Sequence, residues 1–167
     1  FVVVNRNRPH LNSDKIIAGG SSAGAEGILN AVFMREYFID DLEKYKSVKF
    51  AGVFSLAGAM LNANYITKDN TIPTVMFHGT EDNLVPYGTA PHHYCDIEKP
   101  GYIVLDGSSS IIEKVDQFEE SYYFYAVRGG KHEMSAVPFY DLDNIFDFFN
   151  QTILDGKTIQ TKKINKK

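Results

Sequence analysis

Residues 15–27 read Lys15-Ile16-Ile17-Ala18-Gly19-Gly20-Ser21-Ser22-Ala23-Gly24-Ala25-Glu26-Gly27. Lys15 to Ala18 is a short apolar run ending on two glycines, the pattern of a buried strand. Residues 23–36 then read as a helix, with Ile28, Leu29, Val32 and Phe33 at helical spacing. Between the two lies Gly20-Ser21-Ser22-Ala23-Gly24, which fits G-x-S-x-G. In that pattern a serine sits on a tight strand-to-helix turn in a strained backbone conformation. The residues two places either side pack closely, which favours glycine. The spacing selects Ser22 over Ser21. The helix directs its positive dipole end and its free N–H groups at the turn, a setting that favours a developing negative charge on oxygen. The N–H of Ala23 is the expected first donor. The plainer alternative is a Gly/Ser-rich turn that does no chemistry.

Outward from this turn, strand and helix patterns alternate, which predicts an α/β fold with a mainly parallel sheet and flanking helices. Phe1 to Val4 reads as the last turn of a helix, and Asn5 to Asp14, with Pro9, as a loop. Phe50 to Leu56 and Thr74 to His78 read as strands. Tyr102 to Leu105 reads as the approach to a helix, for which Ser110-Ile111-Ile112-Glu113 supplies a capping-box start. Ile111, Ile112, Val115 and Phe118 form the apolar stripe of that helix. Ser121 to Val127 is aromatic-rich and reads as a strand. A last helix is expected from about Phe139 to Leu154, with Leu142, Ile145, Phe146, Phe149 and Ile153 on one face. Residues 1–155 are expected to form one domain, and residues 156–167 a polar, Lys-rich tail, solvated and frayed.

A serine hydroxyl becomes a strong nucleophile only when a base takes its proton. His78-Gly79-Thr80-Glu81-Asp82-Asn83-Leu84-Val85-Pro86 follows the strand at 74–78. Asp82 falls on the loop past that strand's C-terminal end, where open α/β sheets bind ligands. Glu81 competes with it, and the pattern His-Gly-Thr-x-Asp-x-x-Val-Pro favours Asp82. Capping its own loop is the plainer use of such an aspartate. Gly129-Gly130-Lys131-His132-Glu133 follows the aromatic strand and places His132 on the next loop along the same sheet edge. Ser, Asp and His therefore occur in order, each just after a candidate strand.

Composition narrows the rest. The chain has 167 residues, 44% of them apolar, and a net charge of −4. That is enough for one core and lacks the basic balance expected of a nucleic-acid binder. No apolar run approaches the length of a membrane span. Cys95 is the single cysteine, which excludes an internal disulfide and fits a cytosolic or a secreted protein alike. His92, His93 and Cys95 form a compact cluster, but adjacent residues rarely aim at one ion, so incidental loop residues are expected rather than a metal site. Glycines 19–27 match neither G-x-G-x-x-G nor a phosphate loop, which argues against a nucleotide. His78 is expected to pack or to hydrogen-bond.

The segments 15–27, 78–87 and 129–133 resemble the α/β-hydrolase family, particularly its esterase and lipase-like members, and related motifs occur in its peptidase branch. Strand and helix order extends the resemblance over most of residues 1–155 and matches the C-terminal half of that fold. It implies a Ser22–His132–Asp82 triad, acyl transfer through an acyl-enzyme and no cofactor or metal. His132 would take the Ser22 proton and pass it to the leaving group, while Asp82 orients its ring. The substrate implied is a small-molecule carboxylic ester. In this family several strands precede the nucleophile turn, and an early loop supplies a second oxyanion donor. Only about twenty residues precede the turn here. The expectation is a segment of a longer enzyme, completed by an N-terminal portion of the same fold and weakly active or inactive alone. A serine peptidase is the nearest rival, and a non-catalytic binding module that keeps the fold is the alternative from another class.

Overall fold

The computed structural model describes residues 12–136, 138 and 142–166. The helical turn expected at Phe1–Val4, most of the loop that follows and the first residues of the last expected helix lie outside the described residues.

Five parallel strands form the main sheet: β1 (Ile16–Ser21), β2 (Phe50–Leu56), β4 (Thr74–Gly79), β7 (Tyr122–Arg128) and β8 (Gln160–Lys166), in the order β1-β2-β4-β7-β8. Three short strands, β3 (Ala59–Met60), β5 (Thr89–Pro91) and β6 (Val104–Gly107), form a separate antiparallel sheet ordered β3-β6-β5. The helices are α1 (Ala23–Phe33), α2 (Arg35–Phe38), α3 (Ser108–Asp116) and α4 (Asp143–Phe149). The fold is α/β, as the alternating pattern predicts.

Alternation along the strands divides the core into two layers. Val53, Met76, Phe124 and Ala126 face Leu29 and Phe33 of α1 and Ile111, Ile112 and Val115 of α3. Val75 and Tyr123 face the other way, onto Ile145, Phe148 and Phe149 of α4. Helices therefore cover both faces of the central strands, as a buried parallel sheet requires.

Four expectations change in detail. The helix expected over 23–36 stops at Phe33. Met34 leaves helical geometry at φ −128°, and the Asn70 side chain donates to Phe33 O at 3.2 Å, satisfying a terminal carbonyl. The capping box at Ser110 does not form. Helix α3 starts three residues earlier, at Ser108, where Ser109 N–H finds Tyr87 O at 2.9 Å; Ser110 Oγ instead meets Thr89 Oγ1 at 3.0 Å. The run at 102–105 ends in β6, a strand that leads straight into α3. In α4, Phe146 is exposed and Phe148 takes the buried position beside Phe149. Beyond α4 the chain makes one π turn over Asn150–Leu154, with Asp155 N–H donating to Asn150 O at 3.1 Å.

The tail expected to fray is a strand. Residues 160–166 pair with β7 in parallel along its full length, from Tyr122↔Gln160 to Arg128↔Lys166. Its side chains are polar because it is an edge strand with little to bury, and the backbone ladder holds it without an apolar face. Lys162 and Lys163 lie over the rings of Phe124 and Tyr123, 5.7 and 5.1 Å from the ring centres. Asn165 donates to Tyr125 Oη at 2.7 Å. The lysines read as a tail thus clamp the aromatic strand beside them.

Candidate active site

Three loops meet beyond the C-terminal ends of β1, β4 and β7. The turn between β1 and α1 carries Ser22 at φ 53°, ψ −128°. A non-glycine residue held there is strained, and persists only when its surroundings fix it. Ser22 N–H is fixed by Leu56 O at 2.9 Å, and Ser22 O accepts Ala25 N–H and Glu26 N–H at 2.8 and 3.0 Å. A Cβ at Gly20 would overlap the backbone of Gly24, so the close approach behind the turn demands glycine at that position. Gly24 differs from expectation, because a side chain there would meet nothing. Only its backbone has to come close.

The β4 and β7 loops are stitched to each other. Thr80 N–H donates to Val127 O at 3.0 Å, Glu81 N–H to Gly130 O at 2.9 Å and Gly129 N–H to Thr80 Oγ1 at 3.0 Å. A Cβ at Gly79 would strike the Gly130 carbonyl, which accounts for the glycine after His78. The register of the two loops is therefore set by backbone bonds before any functional side chain is considered.

Their side chains form a row. Ser22 Oγ lies 2.8 Å from His132 Nε2, and His132 Nδ1 lies 2.8 Å from Asp82 Oδ2. Asp82 is buried, whereas the competing Glu81 is exposed. The aspartate also caps its own loop: Oδ1 accepts Leu84 N–H at 2.9 Å and Val85 N–H at 3.0 Å. Burial acts to raise the pKa of Asp82. Donors from His78, Leu84 N–H, His132 and Val85 N–H outweigh it and hold the carboxyl well below the usual range, so Asp82 is ionised. Ala23 opens α1, where the first N–H groups have no intrahelical acceptor.

Two neighbours carried no sequence signal. Ser21 Oγ donates to Ser135 O at 2.7 Å and pins the turn that carries His132. Ser108, at the start of α3, reaches His78. A partner for a loop carbonyl 114 residues away leaves no local pattern. The His92, His93 and Cys95 cluster does not converge. His92 Nε2 lies 3.1 Å from Glu26 Oε1, while the Cys95 thiol points to Asp96 O at 3.7 Å. Among the described residues, no group of three or more His, Cys, Asp or Glu side chains could hold a metal ion, and no helix is long and apolar enough to cross a membrane. A hollow of about 410 Å³ lies along α1, lined by Glu26, Asn30 and His92 and by apolar Ala59, Leu61 and Leu105.

Comparison with solved structures gives a match to an acylaminoacyl peptidase in complex with Z-Gly-Gly-Phe-chloromethyl ketone, at TM-score 0.52 and 15% identity. The match covers 96% of this chain and 27% of that one. The fold is thus that of part of an α/β-hydrolase. No family model matches the chain, and no curated protein does.

Proposed function

We propose that Ser22, His132 and Asp82 act together as the nucleophile, base and orienting acid of a serine hydrolase that cleaves carboxylic esters. The observation that carries this reading is the unbroken row Ser22 Oγ–His132 Nε2 and His132 Nδ1–Asp82 Oδ2, each link 2.8 Å. Ser22 Oγ attacks the ester carbonyl and its proton passes to His132 Nε2. The imidazolium so formed is paired with the ionised Asp82. The carbonyl oxygen becomes an oxyanion facing Ala23 N–H at the positive end of α1. Collapse of the tetrahedral adduct breaks the ester C–O bond, and the leaving alcohol takes the proton from His132. A water then attacks the acyl-enzyme by the same route, its proton going to His132 and on to Ser22 Oγ as the acid departs. Every proton and electron pair is accounted for without a cofactor.

A serine peptidase is the second reading. It is favoured by the likeness to an acylaminoacyl peptidase and uses the same residues with an amine as leaving group. This chain corresponds to 27% of that peptidase, so substrate and partners of the full enzyme belong to the proposal.

The decisive experiment treats the chain with a fluorophosphonate probe, which reacts with activated serines whatever the substrate, and maps the labelled peptide. Labelling at Ser22 that disappears in Ser22→Ala is expected. Silence from the chain and from any longer parent would sink the mechanism. Parallel assays with an aryl acetate and an aminoacyl amide then separate ester from peptide chemistry.

A further inference from the structure

A second histidine reaches the Asp82 carboxylate, at the same oxygen as His132. His78 is the penultimate residue of β4 and is fully buried. Its Nδ1 lies 2.7 Å from Ser108 Oγ; its Nε2 lies 3.2 Å from Val85 O and 3.3 Å from Asp82 Oδ2. A backbone carbonyl and a carboxylate both only accept, so Nε2 must carry a proton. The protonation of Nδ1 is then set by Ser108. That hydroxyl has two acceptors in reach, Nδ1 at 2.7 Å and Gly58 O at 3.5 Å. The shorter contact takes the hydroxyl hydrogen, which leaves Nδ1 as a bare acceptor and His78 neutral.

We infer that His78, held as its Nε2–H tautomer by Ser108, is a positioning residue that fixes the Asp82 carboxylate against His132. The inference rests on the proposed roles of Ser22, His132 and Asp82. An ionised carboxylate offers about four lone-pair sites. Here two backbone N–H groups sit at Oδ1, and two imidazole N–H groups converge on Oδ2. Rotation of the carboxylate would break all of these contacts at once in a buried site, where each unpaired group is costly. His78 also withdraws part of the carboxylate's charge from His132. Among the described residues the titratable groups facing His78 are Asp82 and Tyr87. The Tyr87 ring meets it edge-on at 5.8 Å. Burial, and then Glu113, push the Tyr87 phenol up, so it stays neutral near neutral pH. Asp82 is thus the charge that His78 meets, with His132 beyond it.

The test has an arm that needs no activity. Long-range proton–nitrogen NMR of the labelled 167-residue chain should find His78 protonated at Nε2 and bare at Nδ1 near neutral pH. A proton on Nδ1, alone or together with Nε2, overturns the inference even if Ser22 reacts. If the wild type resists the fluorophosphonate probe, the hydrolase reading is in question, and the tautomer still decides this one.

The second arm compares His78→Leu with His78→Gln, whose amide can replace the Nε2–H donor. The leucine variant should react about 10- to 100-fold more slowly. The acid limb of its pH–rate profile should move up by about half a unit, because the Asp82 charge is then shared among fewer donors. Glutamine should restore most of the rate and return the limb. An unmoved limb, with glutamine no better than leucine, would make His78 a packing residue only and overturn the inference. Ser108→Ala covers the case in which leucine prevents folding. It should slow labelling about threefold to tenfold and move the limb in the same direction, and wild-type behaviour there would overturn the inference.

Discussion

Asp82→Asn should reduce the rate of Ser22 labelling roughly 1,000-fold or more, because an amide presents the wrong partner to His132 Nδ1. Comparing labelling rates of the two proteins at neutral pH checks this. The same carboxyl sets an acid limit on stability. Its folded pKa is depressed, so the stability it contributes is fully present above the unfolded carboxylate range, near about 4, and is lost as pH falls towards the lower folded value. Urea midpoints between pH 6 and pH 3 should therefore fall more steeply for the wild type than for Asp82→Asn. The spacing of G-x-S-x-G and of His-Gly-Thr-x-Asp marked these positions because each demand is local: a tight turn, a carboxylate just past a strand. Asp82 caps its own loop through Oδ1 and meets His132 through Oδ2, so the local and the long-range contact use different oxygens. Ser108 and Ser135 were invisible because their partners are brought to them by the sheet and not by neighbours in the chain.

Among elements, the β1–turn–α1 unit makes the sharpest distinction between two glycines that look equivalent in the pattern. Gly20→Ala should destabilise by about 1–3 kcal/mol, since the added methyl meets backbone that cannot step aside. Gly24→Ala should be neutral or stabilising by up to about 1 kcal/mol, since it adds a helix-favouring residue in open space. Chemical denaturation of both variants measures the contrast. The start of α3 was misjudged because a carbonyl from the β4–β5 connection, Tyr87 O, does the work a capping box would have done. The last strand was missed for a related reason. Apolar alternation is the signal for a strand with a face to bury, and β8 has almost none. Removing residues 157–167 should uncover the aromatic edge of β7, lower Tm by roughly 5 °C or more and promote association. Thermal melts with light scattering test this directly.

In the whole molecule, the alternation of strand and helix was enough to give the class of fold and its parallel sheet. Strand order and the small antiparallel sheet were not, because pairing partners depend on crossovers the local pattern does not encode. The site itself spans that order. Ser22 and His132 are 110 residues apart, and Asp82 lies between them, 50 residues before His132. Synthesis from the N-terminus makes the strained serine turn first and the histidine last. If Ser22 and His132 act as proposed, a ribosome-bound chain that has emerged only as far as β4 holds the nucleophile without its base, and such a serine is no more reactive than free serine. The newborn chain is therefore harmless to acyl compounds around it until β7 and the loop after it have docked. On that reading reactivity waits on the arrival of β7, with α4 and the edge strand β8 still to follow.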